Sequence, residues 1–152
     1  MKQSKRNSPE AIAKRKLSEI RHGRHCVFLM HVHLVFVTKY RKVCFSKRVL
    51  TQLNSIFQSV CLDFNAELVE FNGEGDHVHL LINYPPQIAI SKIVNSLKGV
   101  SSRMIRKEKY PEIQKKLWGD SLWTSSYFAG SCGGAALEIV KQYIEQQESP
   151  QR

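Results

Sequence analysis

The order in which two hydrophobic periodicities alternate along the chain constrains its fold more than any other feature of the sequence. Residues 26–37, CVFLMHVHLVFV, are almost wholly apolar and rich in β-branched and aromatic side chains. Such a run predicts a central strand buried on both faces. Apolar residues at helical spacing follow at about 47–63, directly after Ser46, which is a preferred N-cap residue. Further elements follow from the same two periodicities: strand 66–72, strand 77–84, helix 89–108, strand 122–129 and helix 135–147.

The predicted order is therefore strand–helix–strand–strand–helix–strand, with one further helix at the end. This is the split βαβ arrangement of ferredoxin-like domains, which RRM-like domains share. Two right-handed crossovers place both main helices on one face of an antiparallel sheet, with the first and third strands as the central pair. We therefore expect one α+β domain whose other sheet face is open for a site, with the C-terminal helix added to it.

The charge of the chain points to a polyanionic partner. It contains 23 basic and 13 acidic residues, a formal net charge of +10, which favours nucleic acid. Residues 1–25 hold eight of the basic residues and only two acidic ones. We interpret 1–24 as a basic extension, either a mobile arm that raises affinity or a solubilising tail. Residues 25–148 are then the domain and 149–152 a short tail.

Other features of the sequence bear on location and exclude several protein classes. No apolar run reaches 18 residues, and the N-terminus has no apolar stretch after its charged start, so neither a membrane span nor a signal peptide is predicted. The cysteines are scattered, without a C-x-x-C pair, which favours reduced thiols in the cytoplasm. They are Cys26, Cys44, Cys61 and Cys132. No P-loop motif and no cluster of carboxylates suited to a two-metal nuclease is present.

A pair of histidines is the sharpest local feature. His77 and His79 flank Val78 on the predicted third strand, so both imidazoles lie on one face, about 6.6 Å apart along the strand. They can converge on one metal ion, or they can be two polar side chains on a half-exposed strand. Asp76, in the turn before them, can cap that turn, the role that we favour, or orient a histidine.

A second histidine pair lies on the predicted first strand. His31 and His33 sit in an apolar run, which favours a structural role. Because the first and third strands are expected to be neighbours, His33 would approach His77 and His79 if the faces match. Two histidines alone do not complete a metal site, so a second element must supply another ligand.

The last predicted helix carries a tyrosine and a glutamine four residues apart. Tyr143 and Gln147 therefore share one helix face. A tyrosine hydroxyl can attack phosphorus once a nearby cation favours its phenolate, and a glutamine carbonyl can bind the same ion. The alternative is a core tyrosine. Gly133 and Gly134 precede this helix and predict a flexible joint, which would be an odd feature in front of a purely structural helix.

Basic and aromatic side chains indicate where nucleic acid would lie. A loop after the first strand and the exposed side of the second helix carry basic side chains that can contact successive phosphates of a nucleic acid. These residues are Lys39, Tyr40, Arg41, Lys42, Lys98, Arg103 and Arg106. Tyr40, Trp118 and Trp123 can stack on unpaired bases, although a core position is at least as well supported for both tryptophans.

An ordered set of segments resembles a known family. It comprises Phe36-Val37-Thr38-Lys39-Tyr40-Arg41, Gly75-Asp76-His77-Val78-His79-Leu80-Leu81, Leu97-Lys98-Gly99, Leu117-Trp118-Gly119, Leu122-Trp123, Ser126-Tyr127-Phe128 and Gln142-Tyr143-Ile144-Glu145-Gln146-Gln147. In this order and spacing the chain resembles the single-tyrosine HUH (histidine–hydrophobic–histidine) transposases of the insertion-sequence 200/605 group. The resemblance covers about residues 26–148.

The resemblance implies a small homodimeric, metal-dependent DNA transposase of prokaryotic cells that cleaves and rejoins single-stranded DNA at hairpin-bearing element ends. It implies that Tyr143 is the nucleophile that forms a 5′-phosphotyrosine, and that His77, His79 and Gln147 bind Mg²⁺ or Mn²⁺. Gly133 and Gly134 match the hinge that lets the tyrosine helix dock on the partner subunit. The mixed nitrogen and oxygen ligands also suit these ions better than zinc.

Two other functions fit the same residues. A domesticated relative would process repeated palindromes without serving a mobile element. A non-catalytic RRM-like module should carry stacking aromatics on its third strand, where this chain has HVHLLINY. The histidines at those positions make the RRM-like reading the weaker one.

Overall fold

The computed structural model describes residues 20–117, 119, 121–131 and 137–147. A short 3-10 turn spans Lys39–Arg41. The strands are β1 Arg21–His22, β2 Val27–Phe28, β3 His31–Val37, β4 Glu67–Gly73, β5 His77–Asn83 and β6 Phe128–Ser131. The helices are α1 Lys47–Asp63, α2 Ile90–Lys107, α3 Pro111–Gln114 and α4 Leu137–Gln146. None of the helices within these ranges is long and apolar enough to cross a membrane.

Four of the strands form one antiparallel sheet in the order β4-β5-β3-β6. The central pair is β3 with β5, the first and third strands of the predicted series. The predicted α+β, ferredoxin-like arrangement is therefore confirmed. The order follows from the sequence pattern, because the two strands with the most continuous apolar character become the strands that have neighbours on both sides.

One face of the sheet carries the core. Leu34 and Phe36 of β3 and Leu80 of β5 are fully buried in a cluster that also contains Phe57 of α1 and Leu97 of α2. Burying a side chain of this size contributes about 1.5–3 kcal/mol, so these contacts hold the two long helices on this face. The opposite face of the sheet is left for the residues discussed below.

The predicted strand 26–37 is too long at its N-terminal end. Val27–Phe28 pair with Arg21–His22 in a separate two-stranded hairpin, and β3 begins only at His31. The Gly23 amide donates to the Cys26 carbonyl over 2.7 Å and closes the turn. The end of the hairpin cannot be recognised in the apolar run 26–37, because an apolar residue such as Val27 is 62% exposed in the structure. The hairpin also includes Arg21–His22, which lie within the predicted basic extension 1–24.

The predicted strand 122–129 is also displaced, since β6 begins only at Phe128. Leu122 and Trp123 are buried in the core, and Trp123 forms only an isolated antiparallel bridge with Thr38, the residue that follows β3. The strand itself contains Ala129 and Gly130, which have weak β propensity. The β-prone residues therefore lie in the sequence before β6, and the strand was predicted too early in the chain.

Helix α2 departs at two positions from the rule that apolar residues are buried and polar ones exposed. Met104 is 45% exposed, whereas Ser101 is fully buried. Its hydroxyl accepts a hydrogen bond from Trp123 Nε1 over 2.9 Å. A buried serine is tolerated here because it satisfies the indole N–H of a core tryptophan.

Candidate active site

The histidine pair lies on the open face of the sheet. In the β3–β5 register, His79 stands opposite Val35 and His77 opposite Val37. Directly opposite residues of an antiparallel pair point to the same face, so these four side chains share one side. Val78, between the two histidines, is fully buried on the other side. The alternation that was predicted for this strand therefore holds.

His77 is oriented by the residue that precedes it. Its Nδ1 lies 2.7 Å from Asp76 Oδ1, and the carboxylate can only accept, so the imidazole donates from Nδ1. This hydrogen bond holds the pKa of Asp76 below its ordinary value. Asp76 therefore contacts a histidine, which is the alternative to the turn-capping role that the sequence favours. Fixing Nδ1 leaves the lone pair of Nε2 for a ligand.

His79 is paired with another imidazole. Its Nδ1 lies 3.1 Å from His33 Nε2, and the two ring planes are nearly parallel, with their centroids 5.3 Å apart. Burial, followed by the proximity of His77 and His33, lowers the pKa of His79 to about 4. The ring is therefore neutral at physiological pH, as a metal ligand must be. His31, on the same strand, stands opposite Asn83.

Helix α4 docks on the same face of its own chain. Val140 is buried in a small cluster with Val35 and Val37, the two residues that stand opposite the histidines. Tyr143, three residues further along the helix, packs against this cluster with its ring 5.9 Å from that of Phe128. The structure thus brings the predicted nucleophile to the face that carries the predicted metal ligands.

The tyrosine hydroxyl is held by a loop on its own chain. Tyr143 Oη donates to Ser126 Oγ over 3.1 Å. Burial raises the pKa of Tyr143 above its ordinary value, and the Ser126 contact only partly opposes this shift. The ammonium of Lys98 donates to the backbone carbonyls of Thr124 and Ser126 at 2.6 and 3.1 Å, so it fixes this loop. The sequence marks Ser126 only within the segment Ser126-Tyr127-Phe128 of the predicted strand 122–129, and it predicts no role for the Ser126 hydroxyl at the site.

The residues present fit a metal ion of mixed nitrogen and oxygen preference. Within the described ranges, no group of three or more His, Cys, Asp and Glu side chains could hold a metal. His77 and His79 therefore need a ligand of another type. Gln147 Nε2 donates to the Tyr143 carbonyl over 3.1 Å, which leaves the amide oxygen Oε1 for such a role. Oxygen and imidazole donors suit Mg²⁺ or Mn²⁺.

The predicted DNA-binding loop has an unusual backbone. Tyr40 and Arg41 have positive φ values of 59° and 52°, and the Thr38 hydroxyl donates to the Lys42 carbonyl over 2.8 Å to close the loop. Tyr40 is 47% exposed and lies beneath the Lys39 ammonium, which is 5.4 Å from its ring centroid. Strained backbone of this kind persists where the surroundings enforce it, often at functional sites.

Arg41 connects the histidine site with the tyrosine helix. Its Nε is 3.6 Å from Asp76 Oδ2, and its Nη1 donates to the backbone carbonyl of Glu145 over 3.4 Å. Of the two arginines of α2, Arg103 is exposed and Arg106 is half-buried. Their predicted contacts with DNA, like those of the loop, stay predictions.

The aromatic residues proposed for base stacking differ in their exposure to solvent. Trp123 is 5% exposed and packs its ring against Phe36 and Phe45, so its core interpretation is correct. Tyr40 remains available on the surface. Trp118, the predicted hinge Gly133–Gly134, residues 1–19 and residues 148–152 lie outside the described part of the chain.

The protein is thus of the α+β class, a ferredoxin-like domain that carries an imidazole pair and a helix-borne tyrosine on one sheet face. The chain belongs to the IS200-like transposase family. Residues 26–147 match the family model described as "Transposase IS200 like". The protein is therefore a DNA-processing enzyme of the transposase type.

Individual relatives agree with this assignment. The chain is 33% identical to the ISDra2 transposase TnpA of Deinococcus radiodurans over 129 residues, which are 85% of this chain and 91% of the relative. It is 30% identical to the IS200 transposase of Salmonella typhimurium over 115 residues, 76% of this chain and 74% of the relative. A crystal structure of a candidate transposase from Deinococcus radiodurans R1 has a TM-score of 0.74 at 31% identity, over 85% of this chain and 98% of that one.

Proposed function

We propose that this transposase cleaves and rejoins single-stranded DNA at hairpin-bearing element ends, with Tyr143 as the nucleophile. One observation carries the proposal: Val140 of the tyrosine helix packs on Val35 and Val37, the strand residues opposite His79 and His77. The docking contact of the helix and the histidine pair therefore use the same stretch of the central strands. A phosphodiester lying on this face could contact both the tyrosine of the helix and the histidine pair of the strand.

The reaction would be a phosphoryl exchange. Tyr143 Oη attacks phosphorus, forming a tyrosyl O–P bond with the 5′-phosphate, while the bond to O3′ breaks. The phenolic proton is given up, and the departing O3′ takes a proton to become a 3′-hydroxyl. Rejoining reverses these changes with a 3′-hydroxyl as the attacking group. One phosphodiester is exchanged for another of similar energy, so no nucleotide cofactor is needed.

His77, His79 and Gln147 would hold Mg²⁺ or Mn²⁺. Such an ion polarises a phosphate and stabilises the charge that develops during transfer, typically by several kcal/mol. Asp76 keeps the imidazole of His77 in place through its Nδ1 atom. Burial raises the pKa of Tyr143, so a bound cation would have to favour the loss of its proton for attack.

DNA would approach from the strained loop and helix α2. Lys39, Lys42, Arg103 and Arg106 would follow phosphates, and exposed Tyr40 would stack on an unpaired base. We further propose a homodimer in which the Gly133–Gly134 segment lets α4 dock on either subunit, so that each active site can be shared.

The decisive experiment is a search for the covalent product. The protein is incubated with hairpin-bearing single-stranded DNA and Mn²⁺, and the adduct is mapped by mass spectrometry. We expect a nucleotide on Tyr143, none in Tyr143→Phe, and an unchanged yield in Tyr84→Phe, which removes a hydroxyl from a partly buried core tyrosine. An adduct on another residue, or one that persists in Tyr143→Phe, would refute the assignment.

A further inference from the structure

His33 and His79 make a side-chain contact that the proposed chemistry does not use. His33 is on β3 and His79 on β5, but they are not direct partners, since His33 stands opposite Leu81 and His79 opposite Val35. They are diagonal neighbours on the open face, a relation that long side chains can bridge. The nitrogen atoms His33 Nε2 and His79 Nδ1 approach to 3.1 Å.

Two ring nitrogens at this distance share one proton. If both carried a proton, the two N–H groups would point at each other, and if neither did, two lone pairs would face each other. A neutral His79 that offers its Nε2 lone pair to a metal must carry its single ring proton on Nδ1. That proton then points at His33 Nε2, so His33 must accept it and carry its own proton on Nδ1.

We infer that His33 is a positioning residue of the metal site, which accepts the Nδ1 proton of His79 and thereby fixes the tautomer and ring orientation that present Nε2 to the ion. The inference rests on the proposed function, because it assumes that His79 is a ligand. His33 does not itself touch the ion in this role.

The surroundings of His33 suit a fixed acceptor. Its ring meets that of His79 edge to edge with an interplanar angle of 22°, and the Phe128 ring packs against it in a T-shaped arrangement, with the centroids 6.2 Å apart. The contact with His79 and the packing of Phe128 limit rotation of the imidazole. Three strands are thus involved, since β5 supplies the ligand, β3 the acceptor and β6 its support.

The two proposed ligand histidines therefore have different supports. His77 donates to the carboxylate of Asp76, whereas His79 donates to a neutral imidazole. Partners of this kind typically contribute about 10–100-fold to metal affinity. Since His33 brings no negative charge, its contribution is orientation, and an uncharged acceptor of similar reach should replace it.

The test combines metal affinity with a direct readout of the tautomer. Mn²⁺ binding is measured by calorimetry for the wild type, His33→Phe, His33→Gln, His31→Gln and His79→Ala. We expect His33→Phe, which keeps a ring but has no acceptor, to weaken binding about 10-fold or more. His33→Gln, whose amide oxygen can accept, should recover most of that loss, and His31→Gln, on the same strand and face, should bind like the wild type.

Nitrogen-15 NMR of the metal-free protein supplies the second readout. His79 should be the Nδ1–H tautomer in the wild type and in His33→Gln, and a mixture of tautomers in His33→Phe. Wild-type affinity in His33→Phe, or a His79 spectrum that does not change in that variant, would overturn the inference and leave the proposed reaction intact. If the wild type binds Mn²⁺ no better than His79→Ala, the metal site fails and this inference fails with it. Because His33→Gln keeps a polar acceptor, its recovery separates a lost hydrogen bond from general damage to the sheet.

Discussion

Val140 covers Val35, which stands directly opposite His79 in the central strand pair. Val35 is fully buried although it lies on the open face of the sheet, because helix α4 closes that face at this point. The docking of the tyrosine helix and the position of the imidazole pair are thus coupled through neighbouring strand residues. A substitution in the docking contact should therefore lower the rate of DNA cleavage more than it destabilises the core on the other face of the sheet.

Val140→Ala should therefore loosen α4 and leave the rest of the domain folded. Removing two methyl groups from a buried site costs about 1–3 kcal/mol, which here is lost from helix docking. We expect faster amide exchange across Leu137–Gln146 and slower DNA cleavage, with unchanged exchange in β3 and β5. Hydrogen exchange read by mass spectrometry checks this.

The matched control is Ile139→Ala. Ile139 precedes Val140 on the same helix but is 50% exposed, so its truncation should change neither exchange nor cleavage appreciably. If the two variants behaved alike, the docking contact would not be what holds the helix in place.

The sequence predicted those elements whose pattern is local. Helix α1 has the predicted bounds because its apolar spacing is uninterrupted, and the pair at His77 and His79 follows from alternation along one strand. The start of β3 and of β6 depended on which residues find partners across the sheet, and that is not a local property. The hydrogen bond between Ser126 and Tyr143 could not be predicted for the same reason, since only the docked helix brings Tyr143 to Ser126.

Glu112 should make stability depend on pH in the acid range. Its carboxylate accepts hydrogen bonds from Arg48 Nη2 at 2.7 Å and from the Ser46 hydroxyl at 2.6 Å, tying α3 to the start of α1. These contacts lower the pKa of Glu112 to about 2 from 4.5. Because the folded-state pKa is depressed, the stabilisation is complete above about pH 4.5 and disappears as the pH falls towards 2.

Urea unfolding across this range checks the sign. Glu112→Gln should lower the free energy of unfolding at neutral pH, and its difference from the wild type should shrink as the pH falls from 4.5 towards 2. Glu74→Gln, at an exposed turn residue, should show a much smaller difference. A Glu112→Gln effect that stayed constant with pH would contradict the role of the charge.

The buried thiols should be inert in the folded protein. Burial raises the pKa of both Cys44 and Cys61 to about 12, so almost no thiolate exists at neutral pH. Cys26 is only half-buried. In a Cys132→Ser background, iodoacetamide should modify Cys26 first, while Cys44 and Cys61 should react only after unfolding. Rapid labelling of either residue in the native state, read by mass spectrometry, would contradict their burial.

Arg41 and Arg103 should differ in the way they affect DNA binding. The Arg41 guanidinium lies between the Asp76 carboxylate and the carbonyl of Glu145, close to the C-terminal end of α4, where a cation typically contributes about 0.3–1 kcal/mol. Arg103 is exposed on α2. A residue that neutralises a phosphate of single-stranded DNA contributes about 0.7 to the slope of log affinity against log salt.

Binding to hairpin-bearing single-stranded DNA is therefore measured over a range of salt concentrations. Arg103→Ala should reduce the slope by about 0.7, and Arg41→Ala should leave the slope nearly unchanged. Arg41→Ala should instead speed amide exchange in the last turn of α4 and slow cleavage, because the helix end loses its cation. A reduced slope in Arg41→Ala without faster exchange would show that Arg41 contacts DNA, as the sequence predicted, and does not hold the helix.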